Sequence, residues 1–164
     1  MSTLTIQLLQ NMPIFGAIRD DVLLHLLEQT RKQKVGRDKY FFRQGDSGDS
    51  LYVLESGSAV AVKRWRDQEL PLGRFTAGDC FGEISLLDLG PRSASVRAEE
   101  DCVVFEIGHQ DLHRLFSYDT EQFALIQMNI SREVCRRLRT AGDMLFRARM
   151  GEAVENFDIT LRST

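Results

Sequence analysis

The sequence contains few of the residues that cross-link small extracellular proteins or bind structural metals. Among its 164 residues there are three cysteines, three prolines and one tryptophan. Cys80, Cys102 and Cys135 are far apart and form no Cys-x-x-Cys pair, so they indicate neither a disulfide framework nor a zinc site. Unpaired cysteines are typical of a reducing compartment, and we therefore expect a cytoplasmic protein.

The chain also lacks an excess of positive charge and any long hydrophobic run. Its net charge is −3, which disfavours direct nucleic acid binding, because phosphate backbones are bound mainly through lysine and arginine. Its longest mostly apolar stretches, such as residues 22–27, are far shorter than the ~20 residues of a membrane helix. The first residues have neither the basic nor the apolar region of a signal peptide. We therefore expect no membrane span and no secretion signal.

What the chain does have is the composition of an ordinary globular domain. Hydrophobic residues make up 43% and charged residues 27%, and a chain of this length buries a sizeable core without metals. His109 and His113 are spaced like two metal ligands on a helix, but no third ligand accompanies them and no catalytic Ser-His-Asp or Cys-His set stands out. We therefore expect one domain without a metal, a cofactor or an enzymatic activity.

Short runs punctuated by glycine indicate a β structure in the middle of the chain. A helix is predicted over residues 20–30, capped by Asp20 or Asp21, and the pattern changes after Lys34. Strands are predicted at 39–43, 51–55, 59–64, 70–75, 93–98 and 103–107. The glycines of the intervening turns are predicted to need a positive φ; they are Gly45, Gly48, Gly57 and Gly78. Short strands at such spacing favour an antiparallel sandwich, roll or barrel.

A helical period returns from His109 onward. Residues 109–116 predict a short helix, and Asp119 opens a long one of about 45 Å at 1.5 Å per residue. Gly142 is expected to weaken or bend this helix and Gly151 to end it. Its apolar stripe consists of Phe123, Ile126, Ile130, Val134, Leu138, Ala141, Leu145 and Ala148. The predicted fold class is mainly β: an antiparallel, jelly-roll-like β-roll with N-terminal helices and a long C-terminal helix.

The segment 78–96 carries the groups of a sugar-phosphate pocket. Gly82 allows a ligand to approach the backbone, and Glu83 begins a single helical turn whose unpaired N–H groups suit an anion. Arg92 follows a Gly-Pro turn among small residues, where a guanidinium suits a phosphate or a carboxylate. A carboxylate repels a phosphate, so Glu83 is expected to accept hydrogen bonds from sugar hydroxyls. A plain surface ion pair between Glu83 and Arg92 is the alternative.

This segment resembles the phosphate-binding cassette of the cyclic nucleotide-binding domain family. The resemblance rests on Phe81-Gly82-Glu83-Ile84-Ser85-Leu86-Leu87 and on Arg92-Ser93-Ala94-Ser95-Val96, whose spacing matches the family pattern. Residues 45–54, with Gly57 after them, also resemble the early strands of the family's β-roll, and the likeness covers about residues 13–140. The resemblance implies that the ligand is cAMP or cGMP.

The same resemblance implies a role for each residue of the cassette. Glu83 would bind the ribose 2′-hydroxyl and Arg92 the cyclic phosphate. The remaining cradle would come from backbone N–H groups at Gly82, Ile84, Ser85, Ser93 and Ala94. Family members contact the base from the last helix, and Thr140 is the one hydroxyl residue soon after the Arg-Arg-Leu segment 136–138. The choice between adenine and guanine stays open.

The family's transcription factors carry a winged helix-turn-helix, which we do not expect here. We expect a stand-alone sensor with a nucleotide-binding domain at 1–140 and the rest of the last helix and a tail at 141–164. Its output would pass to an effector protein, or through a homodimer formed by 119–148 with Ile130, Val134, Leu138 and Leu145 as the seam. The alternative is a ligand-free β-roll that serves interaction or dimerisation. The basic face of the last helix is solvated, meets an acidic partner, or contacts the ligand from the side of Arg136.

Overall fold

Two four-stranded antiparallel sheets form the centre of the protein. The computed structural model describes residues 3–152, with side chains from residue 6. One sheet has the strand order β1-β8-β3-β6 and the other β2-β7-β4-β5. The strands are β1 (Arg31–Val35), β2 (Tyr40–Phe42), β3 (Ser50–Ser56), β4 (Ser58–Trp65), β5 (Gln68–Thr76), β6 (Cys80–Phe81), β7 (Ser95–Ala98) and β8 (Cys102–Gly108).

Helices pack on one sheet and lie near both ends of the described range. Over the described residues they are α1 (Thr3–Gln10), α2 (Asp20–Gln29), α3 (Glu83–Asp88), α4 (His109–Tyr118) and α5 (Thr120–Arg149), with a 3₁₀ turn at Pro13–Phe15. This architecture confirms the predicted fold class of an antiparallel β-roll with N-terminal helices and a long C-terminal helix. No helix within residues 3–152 combines the length and the apolar character needed to cross a bilayer.

The central strand β3 is buried on both faces, which explains its nearly continuous apolar sequence. Leu51 and Val53 face the helices, whereas Tyr52 and Leu54 face the second sheet. Strand β8 alternates in the same way, with Phe105 turned to the helices. The six predicted strands are confirmed. Two more were not predicted, because β1 is largely polar and β6 has only two residues.

One local prediction about a helix end was wrong. The N-cap of α2 is Arg19, not Asp20 or Asp21, which lie in the first helical turn. Arg19 is held there because its backbone N–H donates to the side chain of Gln122 on α5 at 2.9 Å. Helix α5 continues past Gly142 to Arg149, a weakening or bend at Gly142 stays a prediction, and Gly151 follows the helix end with a positive φ of 82°, as predicted.

The two halves of α5 have different surroundings. Ile130 is 1% exposed and packs into the core of its own chain, so the prediction that it forms part of a dimer seam was wrong. Further along the helix, Leu138 is 70% exposed and Leu145 is 62% exposed. Helix α5 runs through residue 140 without a break. The predicted division of the chain into a domain at 1–140 and a tail at 141–164 stays a prediction. Residues 153–164 of that tail lie outside the described residues.

Candidate functional site

A cavity of about 290 Å³ lies between the second sheet, the 82–94 segment and α5. This volume is close to the lower end of the ~300–1,000 Å³ that small-molecule sites occupy. Its walls are mostly apolar, with Phe42 and Phe75 from the sheet and Val134 from α5. The charged side chains that line it are Glu83, Arg92 and Arg137. The cavity therefore combines an apolar wall with a small set of converging polar groups.

Gly82 sets the shape of the cassette. It caps α3 with a φ of +85°, in the left-handed region that favours glycine. A Cβ at this position would lie 2.8 Å from Nη1 of Arg92 and 3.2 Å from the carbonyl oxygen of Ser50. A side chain at residue 82 therefore conflicts with both the backbone turn and the position of Arg92.

Arg92 is buried and only partly satisfied. Its side chain is 4% exposed, and the guanidinium lies 4.1 Å from the centre of the Phe42 ring. Nη1 donates to the carbonyl oxygens of Ser50 at 2.6 Å and Gly82 at 2.9 Å, and Nη2 donates to the hydroxyl of Ser50 at 3.1 Å. Nε is buried without a hydrogen-bond partner among the described residues. Of the five N–H donors of an arginine, Nε–H and one Nη2–H therefore have no acceptor among the described residues.

The charge and burial of Arg92 favour an anionic ligand. Burial lowers the pKa of Arg92, while the nearby Tyr52, Asp49, Glu106 and Glu83 oppose that shift. A buried cation with two free N–H donors gains most from a ligand that brings both negative charge and acceptor oxygens. Phosphate and carboxylate groups have both properties.

Gly48 forms the other side of the Arg92 site. The prediction that its role is a positive φ was wrong, since Gly45, Gly57 and Gly78 have positive φ and Gly48 does not. Gly48 is instead required by a close approach, because a Cβ there would lie 2.1 Å from Nε of Arg92.

Gly48→Ala is therefore expected to displace the Arg92 side chain without removing its charge. We expect a loss of ligand affinity of about tenfold or more, the value of one or two hydrogen bonds to a charged group. Gly36→Ala is the control, because a Cβ there meets only Asp101 at 3.7 Å. Titration with a cyclic nucleotide, the ligand that the family resemblance implies, measures both variants, and equal affinities would contradict the close approach.

Glu83 is buried against an arginine that the sequence analysis did not assign to the site. It is 3% exposed, and its Oε1 accepts from Nη1 of Arg137 at 2.7 Å. Arg137 also pairs with Glu133 at 3.0 Å and donates to the carbonyl oxygen of Cys80 at 2.9 Å. Burial by itself lowers the pKa of Arg137, but Glu83, Cys80 and Glu133 together raise it above its usual value. Glu83 is thus paired with α5 and not with Arg92.

The structure brings seven of the eight predicted site residues to one cavity. The seven that line it are Gly82, Glu83, Ile84, Ser85, Arg92, Ser93 and Ala94. Thr140 is within the described range but does not line it, and its hydroxyl donates to the carbonyl oxygen of Arg136 at 3.3 Å. The lining from α5 is Val134, Arg137, Leu138 and Ala141. The Arg-Arg pair 136–137 was the available signal for Arg137, but only the fold distinguishes which arginine turns inward.

Comparison with known proteins agrees with this geometry. The family model described as the cyclic nucleotide-binding domain matches residues 32–119. The chain belongs to the cyclic nucleotide-binding domain family. The match includes every residue of the cassette together with Gly48 and Ser50, which contact Arg92.

The sequence is similar to that of a kinase regulatory subunit and that of a bacterial receptor protein. The chain is 33% identical over 107 residues to a cAMP-dependent protein kinase regulatory subunit of Emericella nidulans, covering 65% of this chain and 26% of that protein. It is 32% identical over 130 residues to a cyclic AMP receptor protein of Thermus thermophilus, covering 79% and 58%. The chain therefore spans about a quarter of the first relative and just over half of the second.

A solved structure shows the same fold. The crystal structure of the Thermus thermophilus catabolite activator protein superposes with a TM-score of 0.73 at 31% identity. The superposition covers 81% of this chain and 61% of that chain.

Proposed function

We propose that the cavity binds a cyclic nucleotide, cAMP or cGMP, with a regulatory rather than a catalytic consequence. One observation carries this proposal: the buried Arg92 lines the cavity and keeps two N–H donors that no described residue uses. The phosphate would take these donors together with backbone N–H groups at Gly82, Ile84, Ser85, Ser93 and Ala94. The names of the kinase regulatory subunit and the receptor protein support cAMP as the first ligand to test.

Calorimetric titration of the chain with cAMP, cGMP and 5′-AMP tests the proposal. We expect both cyclic nucleotides to bind and 5′-AMP to bind more weakly, because its dianionic phosphate carries an extra charge into a buried site. Similar affinity for cAMP and cGMP is expected, since the α5 side chains Val134, Leu138 and Ala141 are apolar. A contact from Thr140 to the base stays a prediction. A flat isotherm for all three nucleotides would leave the ligand-free interaction module as the better interpretation.

We propose that Glu83 accepts a hydrogen bond from the ribose 2′-hydroxyl. Each carboxylate oxygen accepts more than one hydrogen bond, so Glu83 can do this while it stays paired with Arg137. Glu83→Gln is expected to weaken cAMP binding by roughly 1.5–3 kcal/mol, the value of a hydrogen bond to a charged group. The same substitution is expected to weaken binding of the 2′-deoxy analogue much less. Equal losses for the two ligands would show that Glu83 does not contact the 2′-hydroxyl.

We propose that α5 transmits the state of the cavity to a partner chain. Arg137 connects this helix to the site carboxylate, and Val134, Leu138 and Ala141 form part of the cavity wall. A ligand that alters these contacts changes the preferred position of α5, and a partner that holds α5 changes ligand affinity by the same factor. The partner is an effector protein or a second copy of this chain.

The exposed apolar residues of α5 support a homodimer through 119–148. Leu138, Leu145 and Phe146 are 62–70% exposed on the second half of the helix. Leu138→Glu and Leu145→Glu are expected to lower the mass measured by sedimentation, because a buried charge opposes an apolar seam. Leu145 does not line the cavity, so its variant separates dimerisation from ligand binding. Ser131→Glu, which adds the same charge at an exposed polar position of this helix, is the control and is expected to sediment like the parent. A parent that sediments as a monomer with and without nucleotide would contradict the dimer.

A further inference from the structure

Behind Arg92, a second carboxylate lies at the end of a short chain of hydrogen bonds. Nη2 of Arg92 donates to the hydroxyl of Ser50 at 3.1 Å, and that hydroxyl donates to Oε1 of Glu106 at 3.0 Å. Ser50 is 4% exposed. Glu106 does not line the nucleotide cavity and lies on β8, across the sheet from Ser50 on β3. The carboxylate is therefore connected to the site through Ser50 and not by contact with a ligand.

The chemistry of the three groups fixes the direction of these hydrogen bonds. An arginine has no acceptor and an ionised glutamate has no donor, whereas a serine hydroxyl has one hydrogen to donate. Because the hydroxyl of Ser50 gives that hydrogen to Glu106, its lone pairs remain for Arg92. Without Glu106 the hydroxyl is free to rotate, and its hydrogen can turn toward the guanidinium.

Glu106 is itself held in one orientation. Tyr52, its direct partner in the β3–β8 register, donates to the same Oε1 atom at 3.0 Å, and Gln33 donates to Oε2. Burial and the nearby Glu106 both raise the pKa of Tyr52, so its hydroxyl stays protonated as a donor. Ser50 and Tyr52 are two residues apart on β3, which places both side chains on the face from which Glu106 is reached.

We infer that Glu106 is a positioning residue for the phosphate-binding arginine and acts on Arg92 through the hydroxyl of Ser50. This inference rests on the proposed function. The two carbonyl contacts of Nη1 hold one end of the guanidinium, and the Ser50 hydroxyl, oriented by Glu106, holds Nη2. The effect is to keep Nε–H and the second Nη2–H free for the phosphate.

Affinity measurements on five variants test the inference. Glu106→Ala and Ser50→Ala are each expected to weaken cAMP binding roughly tenfold, and the double variant to lose no more than either single one. Glu106→Gln, whose amide oxygen still accepts from Ser50, is expected to stay within about threefold of the parent. Glu55→Ala, which removes a carboxylate of the same sheet that pairs with Lys32 at 2.6 Å, is the control and is expected to bind like the parent. Multiplied losses in the double variant would overturn the role through Ser50.

A measurement without nucleotide separates this inference from the proposed function. The Nε–H signal of Arg92 in ¹⁵N-arginine-labelled protein, assigned by its loss in Arg92→Lys, reports the order of the guanidinium. We expect it to shift or broaden in Glu106→Ala and Ser50→Ala and to stay unchanged in Glu55→Ala. An unchanged signal in the first two variants would overturn the positioning role. If these two variants show the shifts but the parent binds no nucleotide, the proposed function alone would be overturned.

Discussion

Arg92→Ala is expected to weaken cyclic nucleotide binding by about 2–5 kcal/mol, which is roughly 30- to 5,000-fold in affinity. The variant removes the buried cation and both free N–H donors from the cavity. It also leaves the carbonyl oxygens of Ser50 and Gly82 without their Nη1 donor, so a smaller loss of folding stability accompanies the loss of binding. Calorimetric titration and denaturant unfolding measure the two effects separately.

Two further variants show which property of Arg92 matters. Arg97→Ala removes a neighbouring arginine whose Nε is likewise buried and unpartnered among the described residues but which does not line the cavity. It is expected to bind nucleotide like the parent. Arg92→Lys keeps the charge but loses the planar pair of donors, and an intermediate affinity is expected. If Arg92→Ala binds as tightly as Arg97→Ala, the phosphate does not occupy the Arg92 site.

Arg137→Ala is expected to lower the free energy of unfolding by about 3–5 kcal/mol, because it leaves a buried carboxylate without its cation. Glu83 is 3% exposed, and the side chain of Arg137 that pairs with it is 13% exposed. The same substitution removes the hydrogen bond from α5 to the carbonyl oxygen of Cys80. Urea unfolding followed by circular dichroism measures the difference between the variant and the parent.

The neighbouring arginine provides a matched control. Arg136 pairs with Glu133 on its own helix and its side chain is 46% exposed, so Arg136→Ala is expected to cost less than about 1 kcal/mol. Adding Glu83→Gln to Arg137→Ala is expected to recover part of the stability, since the uncompensated charge is then gone. Equal stability of the Arg136 and Arg137 variants would mean that the pair between Glu83 and Arg137 does not hold α5 to the roll.

Sequence patterns were sufficient for the elements whose residues repeat a simple period. The alternation of turns and apolar runs located six of the eight strands, and Asp119 marked the start of α5, where its side chain accepts from the backbone N–H of Gln122. The cassette was identifiable because Gly82, Glu83 and Arg92 lie close together in the chain. Strand β1 was missed because its residues are largely polar, and its register with β8 depends on a segment about 70 residues away.

The sequence by itself determined the fold class, the family resemblance and the residues of the cassette, because each of these depends on local spacing. Only the tertiary structure decided which groups face the residues of the cassette. It paired Glu83 with Arg137 of α5, which lies 54 residues later in the chain, and it placed Glu106 behind Arg92 through Ser50. It also turned Ile130 into the core and left Leu138 exposed on the same stripe. These outcomes depend on where distant elements pack, and the period of a single helix or strand carries no information about its neighbours in space.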